Sequence, residues 1–96
     1  MGDSLLDGAW RLSPLVALRP EPFGALAYHF GNRKLTFLKE PKLVFLVREL
    51  GRHDTVRSAL AERGVPETQW PTYESALRRL AATDMIRPRA GEGGSP

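Results

Sequence analysis

The chain has 96 residues, a net charge of +3 and no cysteine, and 42% of its residues are hydrophobic. This length and composition fit one domain with a small core and argue against wholesale disorder. The absence of cysteine excludes disulfides and thiolate metal sites, and no apolar run is long enough for a membrane span or a secretory signal. We therefore expect a cytoplasmic protein that does not enter a membrane.

Three short strands are predicted in the first half of the chain, because apolar residues alternate there between turns that contain Pro or Gly. The first strand covers residues 15–19. A stiff turn follows at residues 20–22, where two prolines cannot donate ladder hydrogen bonds. The second strand covers residues 23–30, and a tight hairpin turn is expected at Gly31 and Asn32, which tolerate positive φ.

The second strand carries bulky side chains on one face and small or polar ones on the other. The bulky set is assigned to the core and consists of Leu26, Tyr28 and Phe30. The small set is expected to face solvent or to be covered closely by another element, and it consists of Ala25, Ala27 and His29. In the third strand, residues 34–38, one face carries Leu35 and Phe37.

The rest of the folded chain is predicted to be helical. The first helix begins with Pro41 and ends at Gly51, where its apolar stripe stops. The second helix covers residues 55–63 with Asp54 as N-cap, and the third begins with Pro71.

The order of three strands and three helices contains no βαβ unit. It predicts an α+β fold with a three-stranded antiparallel sheet followed by three helices. We expect an N-terminal arm at residues 1–12, the domain at residues 13–87 and a disordered tail at residues 88–96.

Reactive groups are sparse in this sequence. Its two histidines, His29 and His53, have no second ligand at the helical spacing that a zinc motif requires. No glycine-rich loop precedes a helix in a way that would hold a phosphate. We expect no catalysis, no metal and no cofactor.

The third strand is the edge of a simple meander, and only lysines at its ends protect it from pairing. Such an edge is either covered or accepts a partner strand, so a homodimer through paired edge strands is an open alternative. Leu35 and Phe37 could form an apolar groove with Tyr73 and Leu77 of the third helix. The competing interpretation is that these four side chains are simply core.

The last two helices also resemble a helix-turn-helix, and the sheet could serve as its wing. Against this interpretation, the first turn of the third helix, which begins with Pro71, carries the acid Glu74 where base-reading Arg, Asn or Gln would be expected. The basic residues are also spread along the chain rather than clustered on one face. A small winged-helix DNA-binding protein is therefore the second hypothesis, and nucleic acid is the less favoured partner.

The run VALRPEPFGALAYHFGNRKLTFLKEPKLVFLV, with Trp10 and Leu12 before it and Met85, Ile86 and Pro88 after it, resembles the mycofactocin biosynthesis chaperone family. That family is similar to the pyrroloquinoline quinone biosynthesis protein D family, the peptide-binding domains called RiPP recognition elements. The resemblance covers nearly the whole predicted fold.

The resemblance implies a winged-helix-like, non-catalytic domain that binds the leader of a ribosomally made precursor peptide as an added strand. Such a domain presents the peptide to a radical S-adenosylmethionine (SAM) maturase, here one that acts on a C-terminal Val-Tyr pair. Transferred to this sequence, the receiving strand consists of Lys34, Leu35, Thr36, Phe37 and Leu38. The groove wall consists of Tyr73, Leu77 and Arg78.

Overall fold

The computed structural model describes residues 5–89 and has the predicted α+β fold. Its strands are β1 (Trp10–Leu12), β2 (Val16–Glu21), β3 (Gly24–His29), β4 (Leu35–Leu38) and β5 (Ile86–Pro88). Its α-helices are α1 (Pro41–Glu49), α2 (Val56–Glu62) and α3 (Trp70–Ala82). Within this range, no helix is both long enough and apolar enough to span a membrane.

Strands β2, β3 and β4 form the predicted antiparallel meander, with β3 in the centre. The assignment of its faces by side-chain size was wrong. The small residues of β3 are the buried ones: Ala25 and Ala27 are at most 1% exposed, whereas Phe30 is 61% exposed. Helix α1 packs against β3, and the alanines let its backbone come close. The core therefore lies on the small face.

The bulky face of the sheet lies opposite the helices, and we call it the outer sheet face. It is defined by the residues that alternate with the buried ones, namely Ala17, Arg19, Leu26, Tyr28, Phe30, Leu35 and Phe37.

A second, two-stranded sheet was not predicted. Strands β1 and β5 pair antiparallel, with Trp10 opposite Pro88 and Leu12 opposite Ile86. The Arg89 amide also donates to the Ala9 carbonyl at 2.8 Å. The parts of the expected arm and tail at residues 5–12 and 88–89 therefore belong to the fold, while residues 1–4 and 90–96 lie outside the described residues.

Strand β2 continues through Pro20, which was predicted to lie in a turn. The hairpin turn is instead at Pro22 and Phe23, because Glu21 pairs with Gly24. After β3, the residue with positive φ is Arg33, at 64°, rather than Gly31 or Asn32.

The helices follow the prediction with small shifts. Thr55, not Asp54, is the N-cap of α2, and it forms a capping box with Ser58. Helix α1 begins with Pro41 as expected, and α3 begins one residue before Pro71. The largest fully buried side chains come from the three helices, the turn after α1 and the start of β5 with the residue before it: Leu46, Leu50, Leu60, Leu77, Met85 and Ile86.

Candidate functional site

Strand β4 has an open backbone edge. It pairs only with β3 among the described strands, and the His29 amide donates to the Lys34 carbonyl at 3.0 Å. Because hydrogen-bonded and non-bonded pairs alternate in an antiparallel ladder, Thr36 and Leu38 bond to β3. The N–H and C=O groups of Leu35 and Phe37 therefore point away from the sheet and remain available to another strand.

The opposite edge, on β2, has fewer free N–H groups for a partner strand. The Phe30 amide donates to the Leu15 carbonyl at 2.8 Å, which places Val16, Leu18 and Pro20 in the outward-pointing positions of β2. Pro20 has no N–H, and the Val16 amide already donates to the Ser13 carbonyl at 3.0 Å. Only Leu18 keeps a free outward N–H, so the geometry favours β4 as the receiving edge.

A groove of about 430 Å³ runs beside the open edge, between β4 and α3, and we call it the β4–α3 groove. Its apolar floor comes from Leu38, Leu43, Ala76 and Leu80, and its remaining lining is Thr36, Phe37, Lys39, Glu40 and Arg79. A second depression adjoins it through Glu40, Leu43 and Ala76 and reaches Tyr73. An extended chain on β4 could place alternate side chains into this continuous surface.

The residues predicted for the site are only partly brought together. Thr36 and Leu38 line the β4–α3 groove and Tyr73 lines the adjoining depression, whereas Leu35 lies on the outer sheet face. Phe37 belongs to both surfaces, because it contributes to the groove lining and alternates in β4 with Thr36 and Leu38. Lys34 is exposed just before β4. Leu77 is fully buried in the core, and Arg78 points elsewhere and pairs with Glu74 at 3.0 Å.

Six residues of the groove lining were not predicted as site residues, namely Lys39, Glu40, Leu43, Ala76, Arg79 and Leu80. Leu43 and Arg79 show the reasons. Leu43 was assigned to the core stripe of the first helix, and it does lie there, at 8% exposure, but it also forms the groove floor. Arg79 is one position beyond Arg78, and no sequence signal distinguished the two. On a helix this single step of 100° decides which arginine meets the groove.

The groove carries an uneven charge. Lys39 and Arg79 line it, and neither has an ion-pair partner within residues 5–89. The single carboxylate is Glu40. Burial, followed by the charge of Glu40, raises the pKa of Tyr73 above 10.0, so that its hydroxyl stays protonated at neutral pH.

The two walls of the groove are tied together at one end. His29 is 3% exposed, and its Nδ1 accepts the amides of Gly31 and Asn32 at 2.9 and 3.0 Å. The remaining ring nitrogen, Nε2, therefore donates to Asp84 at 2.7 Å, just after α3. The Asn32 side chain donates to the Thr83 carbonyl at 3.0 Å. These bonds fix the turn before β4 against the end of α3.

Asp84 occupies the left-handed position after α3, with φ of 61°. The amides of Asp84 and Met85 close the helix on the carbonyls of Ala81 and Leu80, as in a Schellman motif. Glycine would fit this backbone better. The carboxylate accounts for the aspartate, because it accepts from both His29 and Arg87, the latter at 2.8 Å.

We expect Asp84→Asn to lower stability by about 0.5–1 kcal/mol at pH 7, since the pair with Arg87 is partly exposed and asparagine tolerates the backbone. Hydrogen bonds from Arg87 and His29 lower the pKa of Asp84 below 3.8. Because the folded pKa is the lower one, this contribution is present above pH 3.8 and is lost as the pH falls through the folded pKa. Denaturant unfolding at pH 7 and pH 3 should show the two proteins converging in acid, and a constant difference would contradict the assignment.

The described residues offer little for bond-making chemistry. Within residues 5–89, no group of three or more His, Cys, Asp or Glu could hold a metal ion. The groove lining has polar groups for recognition, but it contains no histidine and no serine. What the arrangement can do is hold an extended chain.

The fold and the site together define a small α+β domain with one open sheet edge beside an apolar, cationic groove. The peptide chaperone MftB family model matches residues 9–87, and the chain belongs to this family. The peptide chaperone MftB of Mycolicibacterium smegmatis is 49% identical over 87 residues, which are 91% of this chain and 85% of the relative. That of Mycobacterium tuberculosis is 48% identical over 83 residues, 86% of this chain and 76% of the relative.

A third relative, the peptide chaperone MftB of Mycobacterium ulcerans, is 48% identical over 86 residues, 90% of this chain and 79% of the relative. No solved structure matches the chain significantly. The resemblance found in the sequence is therefore confirmed at the level of the family.

Proposed function

We propose that this protein is a non-catalytic, cytoplasmic chaperone that binds the leader of a ribosomally made precursor peptide as a strand added to β4. It presents the bound peptide to a radical SAM maturase in mycofactocin biosynthesis. The family membership supports the peptide-chaperone role. The observation that carries the mechanism is the outward N–H and C=O groups of Leu35 and Phe37, beside a groove, on a sheet whose other edge is interrupted by Pro20.

Peptide binding with micromolar affinity requires contacts with both the β4 edge and the β4–α3 groove. Leu35 and Phe37 offer four outward groups, and each hydrogen bond is worth about 1 kcal/mol net. Ordering each peptide residue costs about 1–2 kcal/mol, whereas micromolar affinity needs roughly −8 kcal/mol. Apolar leader side chains buried against Leu43, Ala76 and Leu80 would supply the difference, at about 1.5–3 kcal/mol each.

Titration calorimetry with the full-length precursor tests the proposal directly. We expect at least micromolar affinity and a negative heat-capacity change, because apolar surface is buried. A truncated precursor that lacks the leader should not bind. Equal binding of the leader and of the leaderless remainder would overturn leader recognition.

The unpaired cations of the groove predict a leader that carries carboxylates near its apolar anchors. Arg79→Glu should weaken precursor binding by roughly 3- to 10-fold, because it replaces an attraction by a repulsion at a partly exposed site. Arg78→Glu is the matched control, since it makes the same change one residue away, outside the groove. Fluorescence anisotropy with labelled precursor at low salt measures the affinity of both variants. Equal losses of affinity would show that the net charge of the protein, and not contact with the groove, weakens binding.

The DNA-binding alternative is not favoured by the structure or by the family. The start of α3 buries Trp70 and Tyr73, at 9% and 6% exposure, which removes them from any role in reading bases. This alternative predicts binding to duplex DNA with a steep salt dependence. If a mobility-shift assay with duplex DNA at low salt shows no shift, the DNA-binding alternative is wrong.

A further inference from the structure

The outer sheet face is the largest feature that precursor binding leaves unexplained. Phe30, Leu35 and Phe37 are 61%, 60% and 44% exposed on it, although they are among the largest apolar side chains of the chain. Tyr28 and Phe30 form an edge-to-face pair with ring centroids 5.2 Å apart. A contiguous apolar surface of this kind marks an interaction site more often than a plain solvent face.

No element of the described chain, residues 5–89, covers this face. Helix α1 packs on the opposite side of the sheet, where the buried alanines of β3 lie. Beyond the described range, residues 1–4 and 90–96 contain a single large apolar side chain, Met1. That is too little apolar surface to bury a three-stranded face.

A second copy of the chain fits the face poorly. A depression of about 280 Å³ on the outer sheet face is lined by apolar residues and by Arg19, and no carboxylate is part of that lining. Two such depressions packed against each other would bring two arginines together with no carboxylate in either lining, which is costly. The charge instead favours a different protein whose apolar surface carries a carboxylate opposite Arg19.

The position of the face also indicates when that protein would bind. In an added strand, successive side chains alternate between the two sides of the sheet. If a leader adds to β4, one half of its side chains enters the β4–α3 groove and the other half continues the outer sheet face beside Leu35 and Phe37. The face then becomes a composite surface of protein and peptide.

We propose that the outer sheet face is the docking surface for the maturase, which contacts Phe30, Tyr28 and Arg19 together with the exposed side of the bound leader. This inference rests on the proposed function, because it takes the leader to lie on β4. A composite surface makes docking and precursor binding favour each other, and the coupling is the same in both directions. The maturase would thus bind the peptide-loaded chaperone in preference to the empty one.

The test uses Phe30→Gln and Arg19→Glu in the full chain, with Phe45→Gln as control. Phe45 is a phenylalanine of similar exposure, 47%, on helix α1, on the other side of the sheet. Precursor affinity is measured by calorimetry, and binding to the purified maturase by biolayer interferometry with and without precursor. Thermal unfolding checks that each variant is folded.

For the two outer-face variants we expect precursor affinity within about twofold of wild type and maturase binding weakened by about tenfold or more. Phe45→Gln should behave as wild type in both assays. Wild type should also bind the maturase more tightly when precursor is present.

Undiminished maturase binding by both outer-face variants would overturn the docking surface while leaving peptide binding intact. Sedimentation that shows a wild-type dimer broken by Phe30→Gln would assign the face to a second copy and overturn it as well. Failure of wild type to bind precursor would instead remove the proposed function, and the inference with it.

Discussion

Phe37→Pro is expected to weaken precursor binding by roughly 10- to 100-fold while the domain stays folded. Proline removes the outward N–H of Phe37, which leaves a carbonyl of the added strand without a partner, at about 1–3 kcal/mol. The ladder to β3 is kept, since Phe37 does not bond to it, and edge strands tolerate proline in this orientation. Calorimetry measures the affinity and circular dichroism the fold.

Two controls separate the effect of losing the Phe37 N–H from the effects of losing its side chain and of disrupting the sheet. Phe37→Ala removes the same ring but keeps the N–H, so it should lose less affinity than the proline variant. Thr36→Pro removes an amide that bonds to β3, and it should destabilise the sheet itself. If Phe37→Pro and Phe37→Ala bind precursor equally, strand addition on β4 is wrong.

Among glycine-to-alanine changes in the described chain, Gly24→Ala should be the most destabilising, at about 3 kcal/mol or more. A Cβ at Gly24 would lie 1.8 Å from the Leu38 carbonyl oxygen, and φ of +148° is itself unfavourable for alanine. Since the clash is with backbone, β4 must move, and precursor binding should fall as well. Denaturant unfolding measures the loss of stability.

Gly64→Ala is the matched control for the backbone strain. Gly64 also has a positive φ, +74°, but a Cβ there meets nothing within 4 Å. We expect it to cost only about 1–2 kcal/mol and to leave precursor binding unchanged. Equal losses of stability in the two variants would show that strain, not contact with β4, dominates at Gly24.

The element order and the fold class could be predicted because they depend on local signals. Alternation and turn residues locate strands, and Pro41 and Gly51 bound a helix, so the α+β class is confirmed. The pairing of β1 with β5 joins residues far apart in the chain, and three-residue strands carry almost no period. This second sheet therefore could not be predicted from the sequence.

The faces of β3 show what periodicity cannot decide. Alternation separates Ala25 and Ala27 from Leu26 and Tyr28, but it does not say which set faces the helices. Size was the wrong guide, because close packing of α1 needs small residues. The same limit applies to β4: which amides point outward follows from the register with β3, so Thr36 and Phe37 could not be distinguished beforehand.

The proline at position 20 has a consequence for solubility. A sheet with two open edges can join the β4 of one molecule to the β2 of the next, and such head-to-tail pairing has no natural end. Because of Pro20 and the occupied amide of Val16, Leu18 is the one residue of β2 with a free outward N–H, so β2 is a poor second partner. Repeated strand addition is therefore disfavoured, and the β4 edge can stay open for a peptide without promoting fibre growth.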